Sequence, residues 1–199
     1  YHMKLSDVKS PIGWCSWYKF YSQVTQKDII RNVNFLSEEN MRDIDCRIVQ
    51  LDDGYQSQIG DWLTVNRKFP DGLPGVARKV KKKGMAAGIW LAPFLAGRGS
   101  VLFRDRPEWF VRDQMTGSPL IAHLNPDWGS DLVCYCLDTT NPQVLSWLKH
   151  VFSTLVAYGF TYFKIDFLVA GIRRGDRYDK YSSRAEAYRK GLEAIRKAI

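Results

Sequence analysis

The tetrapeptide Lys164-Ile165-Asp166-Phe167 closes the apolar run Phe160-Thr161-Tyr162-Phe163. Successive side chains of a strand face opposite sides, so Lys164 and Asp166 share one face while Phe163, Ile165 and Phe167 share the other. The expectation is an aromatic face packed on helices and, opposite it, a Lys164–Asp166 ion pair. Parallel α/β folds carry their active sites at the C-terminal ends of strands, which makes Asp166 a candidate nucleophile. Polar and aromatic residues also gather after three other apolar runs: Trp14, Trp17 and Tyr18, then Asp52, Asp53 and Tyr55, then Trp90. Singly, Asp52 or Asp53 reads as a turn residue and Trp90 as core. Together, carboxylates among aromatic rings on one rim suit glycoside cleavage, in which one carboxylate attacks the anomeric carbon, a second carboxyl protonates the leaving oxygen, and rings pack on the sugar.

Four strand-then-helix units would position these residues. The strands are expected over Ile12–Trp17, Cys46–Leu51, Met85–Leu91 and Thr161–Asp166. Thr25 reads as the N-cap of a helix carrying Ile29, Val33 and Leu36, and a helix from about Leu73 to Lys83 stops at Gly84. Asn141 followed by Pro142 opens a third helix, with Val144, Leu148, Phe152 and Leu155 on one face, that ends at Gly159. A fourth begins near Ser183, with Tyr188, Leu192, Ile195 and Ile199 on its apolar face. Between the third strand and Asp138 runs a long connection with a small hairpin turning at Met115-Thr116-Gly117.

Alternating strands and helices imply a parallel sheet with right-handed crossovers. The fold class expected is α/β: a single (βα)4 unit over residues 1–199, half of a TIM barrel, which a dimer pairing the first and fourth strands would complete to eight strands. A doubly wound open sheet is the alternative, but no glycine-rich phosphate loop follows any strand.

Composition narrows the function classes. At 199 residues and 45% hydrophobic, the chain can bury a substantial core. The net charge of +8 is scattered over Lys79, Lys81, Lys82, Lys83, Arg173, Arg174 and Arg177, which disfavours a nucleic-acid surface. Four cysteines and three histidines lack metal-ligand spacing, so no metal is expected. With no leader, spanning segment or dense cysteine pattern, the sequence reads as soluble and cytoplasmic, with no membrane partner.

Six motifs carry a resemblance. Gly13-Trp14-Cys15-Ser16-Trp17-Tyr18, Gln50-Leu51-Asp52-Asp53-Gly54-Tyr55 with Gly60-Asp61-Trp62, Gly88-Ile89-Trp90-Leu91-Ala92-Pro93-Phe94, Pro107-Glu108-Trp109, Leu137-Asp138-Thr139-Thr140-Asn141-Pro142 and Tyr162-Phe163-Lys164-Ile165-Asp166-Phe167 resemble, in order, the motifs of family 36 glycoside hydrolases, the microbial α-galactosidases of the melibiase clan. The resemblance implies Asp166 as nucleophile of a retaining mechanism and Lys164 as a ligand of substrate hydroxyls. It implies Asp52 and Asp53 as binders of galactose hydroxyls, Trp17, Tyr18 and Trp90 as cleft-lining aromatics, and no cofactor. In the family, β domains flank the barrel and the acid/base aspartate sits on the sixth strand; none of these is expected within residues 1–199. The alternatives are a galactose-binding half-barrel without turnover and a galactosyltransferase of the raffinose-synthase type.

Overall fold

The computed structural model describes residues 12–38, 41 and 44–199. The first unit is β1 (Gly13–Cys15), a short helix α1 (Trp17–Phe20) and helix α2 (Gln26–Leu36). Strand β1 is shorter than expected: Ser16 takes helical backbone angles and α1 begins at once, so Trp17 belongs to a helix. The Thr25 hydroxyl accepts from Asp28 N while the Asp28 carboxylate accepts from Thr25 N, a capping box that sets the start of α2.

Strand β2 (Ile48–Leu51) leads to helix α3 (Gly72–Lys82), and strand β3 (Ala86–Leu91) follows. Both strands are almost wholly buried, and their near-continuous apolar sequences suit a parallel sheet covered on both faces. The connection after β3 holds more structure than the sequence suggests. Strand β4 (Leu95–Gly97), helix α4 (Val101–Asp105), strand β5 (Ile121–Leu124) and strand β6 (Val133–Cys136) build a three-stranded antiparallel sheet in the order β4-β6-β5. These strands are three or four residues long, too short for alternation to distinguish them from loop. The expected hairpin is present as a bridge from Arg112 to Pro119.

Helix α5 (Pro142–Tyr158) starts with Asn141 capping Gln143 N and ends at Gly159 in the left-handed region. Strand β7 (Phe160–Ile165) and helix α6 (Arg184–Arg196, capped by Ser183) complete the described chain. The apolar face expected on α6 is only partly right. Its buried residues are Ala187, Gly191, Ala194 and Ile195, while Ile199 lies past the helix end and is exposed.

The parallel sheet has the order β1-β2-β3-β7. Gln50 lies opposite Cys15 and Gly88, and Trp90 opposite Lys164, so the four C-terminal ends form one rim. Phe163 meets Phe152 of α5 at 5.4 Å between ring centroids, as expected for the helix-facing side. Among the described residues the outer edges of β1 and β7 have no strand partner, and the barrel is not closed. No described helix is long and apolar enough to cross a membrane.

Gly54, in the loop after β2, has φ 112°, and a Cβ there would collide with the Ser22 backbone. Gly117 has φ 68° with open space around it. Gly54→Ala is therefore expected to cost roughly 2–4 kcal/mol and Gly117→Ala about 1 kcal/mol. Urea denaturation checks this; equal losses would refute close packing at Gly54.

Candidate active site

Asp52 stands just past β2 and is 1% exposed. Its Oδ2 accepts from Lys164 Nζ at 2.9 Å, from Cys15 Sγ at 3.3 Å and from Gln50 Nε2, and its Oδ1 accepts from Asp53 N at 2.9 Å. The Asp52 backbone N donates to Ser16 Oγ at 2.9 Å. The cation of the Lys-x-Asp motif is thus paired with Asp52, not with Asp166 as the sequence suggested. Strands lie about 4.8 Å apart, so the Lys164 and Asp52 side chains reach toward each other across β3 to close two strand spacings. Gly88, two residues before Trp90 on that face, leaves the room between Gln50 and Tyr162. Burial works against the Lys164 ammonium, but the hydrogen bond and charge of Asp52, with Cys15 and Asp166 adding to it, hold it above the usual lysine range.

Asp166 follows the last residue of β7, and its N donates to Leu91 O at 2.8 Å. Trp90 Nε1 donates to Asp166 Oδ2 at 3.1 Å, and Phe167 N donates to Asp166 Oδ1 at 2.8 Å. Phe167 has φ 52° and ψ 31°, a left-handed conformation rarely adopted by a bulky residue. This turn breaks the strand alternation, and Phe167 does not join Phe163 and Ile165 on the helix side. Its ring packs instead on His123, Trp128 and Trp90, at centroid separations of 4.6, 5.2 and 6.3 Å. Desolvation, and secondarily the charge of Arg173, push the His123 imidazole below its ordinary range.

Asp53 is 2% exposed and makes no salt bridge among the described residues, although the half-buried Lys68 ammonium feels its charge. Trp128 Nε1 donates to its Oδ2 at 2.8 Å and Gln56 Nε2 to its Oδ1 at 2.6 Å. Burial raises its pKa; the two side-chain hydrogen bonds oppose this, and the charge of Asp52 adds to the rise. Asp53 and Trp128 line a cleft with Trp17, Tyr21, Asn125 and Asp127. Tyr18 is 85% exposed and is not part of that lining. Tyr55 is wholly buried, its hydroxyl donating to Trp90 O at 3.0 Å, so it braces β3 rather than facing the cleft.

The fold brings Asp52, Asp53, Trp90, Lys164 and Asp166 together, sets Trp17 beside Asp53, and leaves Tyr18 outside. Cys15, Ser16, Gln50, Gln56, His123, Trp128 and Phe167 were not singled out as site residues. Gln50 and Cys15 precede Asp52 and Ser16 within their motifs and were open to inference from strand alternation. His123 arrives on β5 of the antiparallel sheet and Trp128 on the short helical turn Pro126–Asp131 that follows it, neither of which left a periodic signal. Among the described residues, no three His, Cys, Asp or Glu side chains are grouped to hold a metal ion.

Residues 2–194 match the family model described as Melibiase. The alpha-galactosidase AgaA of Geobacillus stearothermophilus is 29% identical over 110 residues, covering 52% of this chain and 14% of that protein. The probable alpha-galactosidase B of Talaromyces emersonii is 26% identical over 155 residues, 66% of this chain and 33% of that protein. Among solved structures, TtGalA, an alpha-galactosidase from Thermus thermophilus in complex with p-nitrophenyl alpha-D-galactopyranoside, superposes with a TM-score of 0.82 at 33% identity, over 96% of this chain and 36% of that one. The chain spans well under half the length of each.

The cysteine environments give a test of this geometry. Burial pushes the Cys134 and Cys136 thiols up to about 12. Cys15 is also raised, by burial and by the neighbouring Asp52 carboxylate, against a lowering hydrogen bond from the Trp17 backbone. A raised thiol pKa leaves less thiolate at any given pH, so iodoacetamide at about pH 8 should label Cys15 more slowly than an unstructured cysteine and spare Cys134 and Cys136. Cys15 labelling should accelerate as pH rises past about 9. Rapid labelling of Cys15 at the lower pH, read by peptide mass spectrometry, would contradict its placement against Asp52.

Proposed function

The chain belongs to the melibiase family, and on that premise we propose that it forms the galactose-binding and nucleophile-bearing part of a retaining α-galactosidase. The observation that carries the reading is the Asp166 carboxylate at the end of β7, held by the Trp90 indole and the Phe167 amide beside the Lys164–Asp52 pair. Asp166 attacks the anomeric carbon as the glycosidic bond breaks, giving a galactosyl ester that water hydrolyses with net retention. Asp52, Lys164 and Asp53 bind ring hydroxyls. Hydrogen bonds to charged groups are stronger and shorter than neutral ones, which suits selection of one epimer. Trp90 and Trp17 border the sugar, and the reaction uses no cofactor.

The resemblance assigns the proton donor to a sixth strand, outside residues 1–199. Leaving-group protonation typically contributes about 10² to 10⁴ in rate, so unactivated α-galactosides depend on that group, whereas an aryl galactoside with a good leaving group needs it little. Strands completing the barrel would pair with the open edges of β1 and β7. A second copy, its β1 beside β7, is the partner we propose, and sedimentation should then give twice the 23.0 kDa chain mass. A compact monomer at micromolar concentration would exclude this arrangement.

The decisive substrate is p-nitrophenyl α-D-galactopyranoside. Asp166→Ala is expected to abolish its hydrolysis, with azide restoring part of it as the β-galactosyl azide; an unchanged rate would remove Asp166 from the mechanism. Asp52→Asn and Asp53→Asn should each weaken galactose binding by about tenfold, the worth of one charged hydrogen bond. Galactose binding without cleavage of the aryl substrate would favour the binding-module reading.

A further inference from the structure

A second aromatic site, centred on Trp147, shares no lining residue with the cleft formed by Trp17, Asp53 and Trp128. The Trp109 and Trp147 rings meet at 6.3 Å between centroids and 59° between planes. Trp109 Nε1 donates to Gln143 Oε1 at 2.9 Å, and the Arg106 guanidinium sits 5.4 Å from the Trp109 centroid, which together fix that ring. Gln143, Ser146, Trp147 and His150 lie along one face of α5. Two clefts flank the ring pair. One, of about 440 Å³, includes Asp61 and Trp62, and the other, of about 430 Å³, includes Gln143 and Ser146. Both volumes fall in the range of small-molecule sites.

Trp62 is 1% exposed, it lines the first cleft, and its Nε1 has no hydrogen-bond partner among the described residues. That nitrogen is itself closed off from solvent, so Trp62 contributes a wall rather than a donor to the cleft. Arg106, Ser146 and His150 likewise make no side-chain hydrogen bond to another described residue. The groove therefore offers the half-buried Trp147 ring, backed by Trp109, for an apolar surface, donors at its rim in Arg106, Ser146 and His150, and charges of both signs in Asp61, Asp105 and Arg106. Mixed charge disfavours an anionic or cationic ligand. A pyranose, with an apolar C–H face and a hydroxylated edge, matches every one of these features.

We propose that this groove binds an uncharged saccharide, separately from the cleft that contains Asp53. The proposal does not rest on the catalytic reading. The test is a titration of the ¹⁵N-labelled chain with stachyose, following the seven tryptophan indole N–H signals, assigned through single Trp→Phe variants. The Trp147 signal should shift saturably, and excess galactose that displaces ligand at Trp90 and Trp128 should leave that response in place; Trp62, packed on Trp90 at 5.8 Å between ring centroids, is left out of the readout. Arg106→Ala and His150→Ala, both at exposed positions, should each weaken the Trp147 response by about threefold to tenfold. Absence of a saturable Trp147 shift, or identical affinity in both variants, would overturn the proposal. Failure of the galactosidase reading would appear instead as silence of the Trp90 and Trp128 signals toward galactose.

Discussion

The burial of the Asp52 carboxylate is the constraint on which the site depends. Taking a carboxylate out of water costs several kcal/mol unless donors replace the lost solvation. Asp52 draws them from Cys15 at the end of β1, Gln50 on β2, Lys164 on β7 and the Asp53 amide. Three of the four parallel strands therefore converge on one oxygen pair, with β3 passing between β2 and β7 and contributing Gly88 where a side chain would press on Gln50 and Tyr162. A one-residue slip of β7 would turn Lys164 to the helix side and leave Asp52 without its cation.

That register also sets Asp166. Because Lys164 lies opposite Trp90, the residue two further along reaches the Trp90 indole. The left-handed turn at Phe167 lets the next amide point back to the same carboxylate and swings the phenyl ring toward Trp128 and His123. Strain of this kind persists only where surroundings over-determine it. Here three rings hold Phe167, and one of them, Trp128, also donates to Asp53. The aromatic cluster thus joins the carboxylate after β2 to the carboxylate after β7, two strands apart in the sheet.

Much of this was legible in the sequence. The four βα units, the caps at Thr25 and Asn141, the helix start near Ser183, and the gathering of Asp52, Asp53, Trp90 and Asp166 on one rim all follow from local rules that the fold obeys. What failed was long-range or non-periodic. The partner of Lys164 depends on which strand lies two positions away, which no single segment encodes. Phe167 was assigned by alternation, yet the strand ends at Ile165. Trp17 and Tyr18 were read together after a strand, but the early helix sends one ring to the cleft and the other into solvent. His123 lies in an antiparallel sheet whose strands are three or four residues long, each too short for a pattern, and Trp128 in the short helical turn Pro126–Asp131 after β5.

Adjacent residues of one motif end in different electrostatic settings. Asp52 has a hydrogen-bonded cation and donors from three strands, whereas the donors to Asp53 are neutral, chiefly Gln56 and Trp128, and its carboxyl is pushed up by burial. The two carboxylates also raise one another's cost, since each carries the same charge within one residue of the other. A rigid ammonium against Asp52 keeps that residue anchored to the sheet. Asp53, held by an indole N–H and a glutamine amide at the lining of a cleft, is the one whose hydrogen bonds an incoming hydroxyl would most readily supplement, because a carboxylate has more acceptor sites than two donors fill. Under the proposed reading both carboxylates bind the sugar: Asp52 does so while also fixing the geometry of Lys164 and the strand ends, and Asp53 does so in a partly prepaid, desolvated pocket where a hydrogen bond is electrostatically stronger than in water.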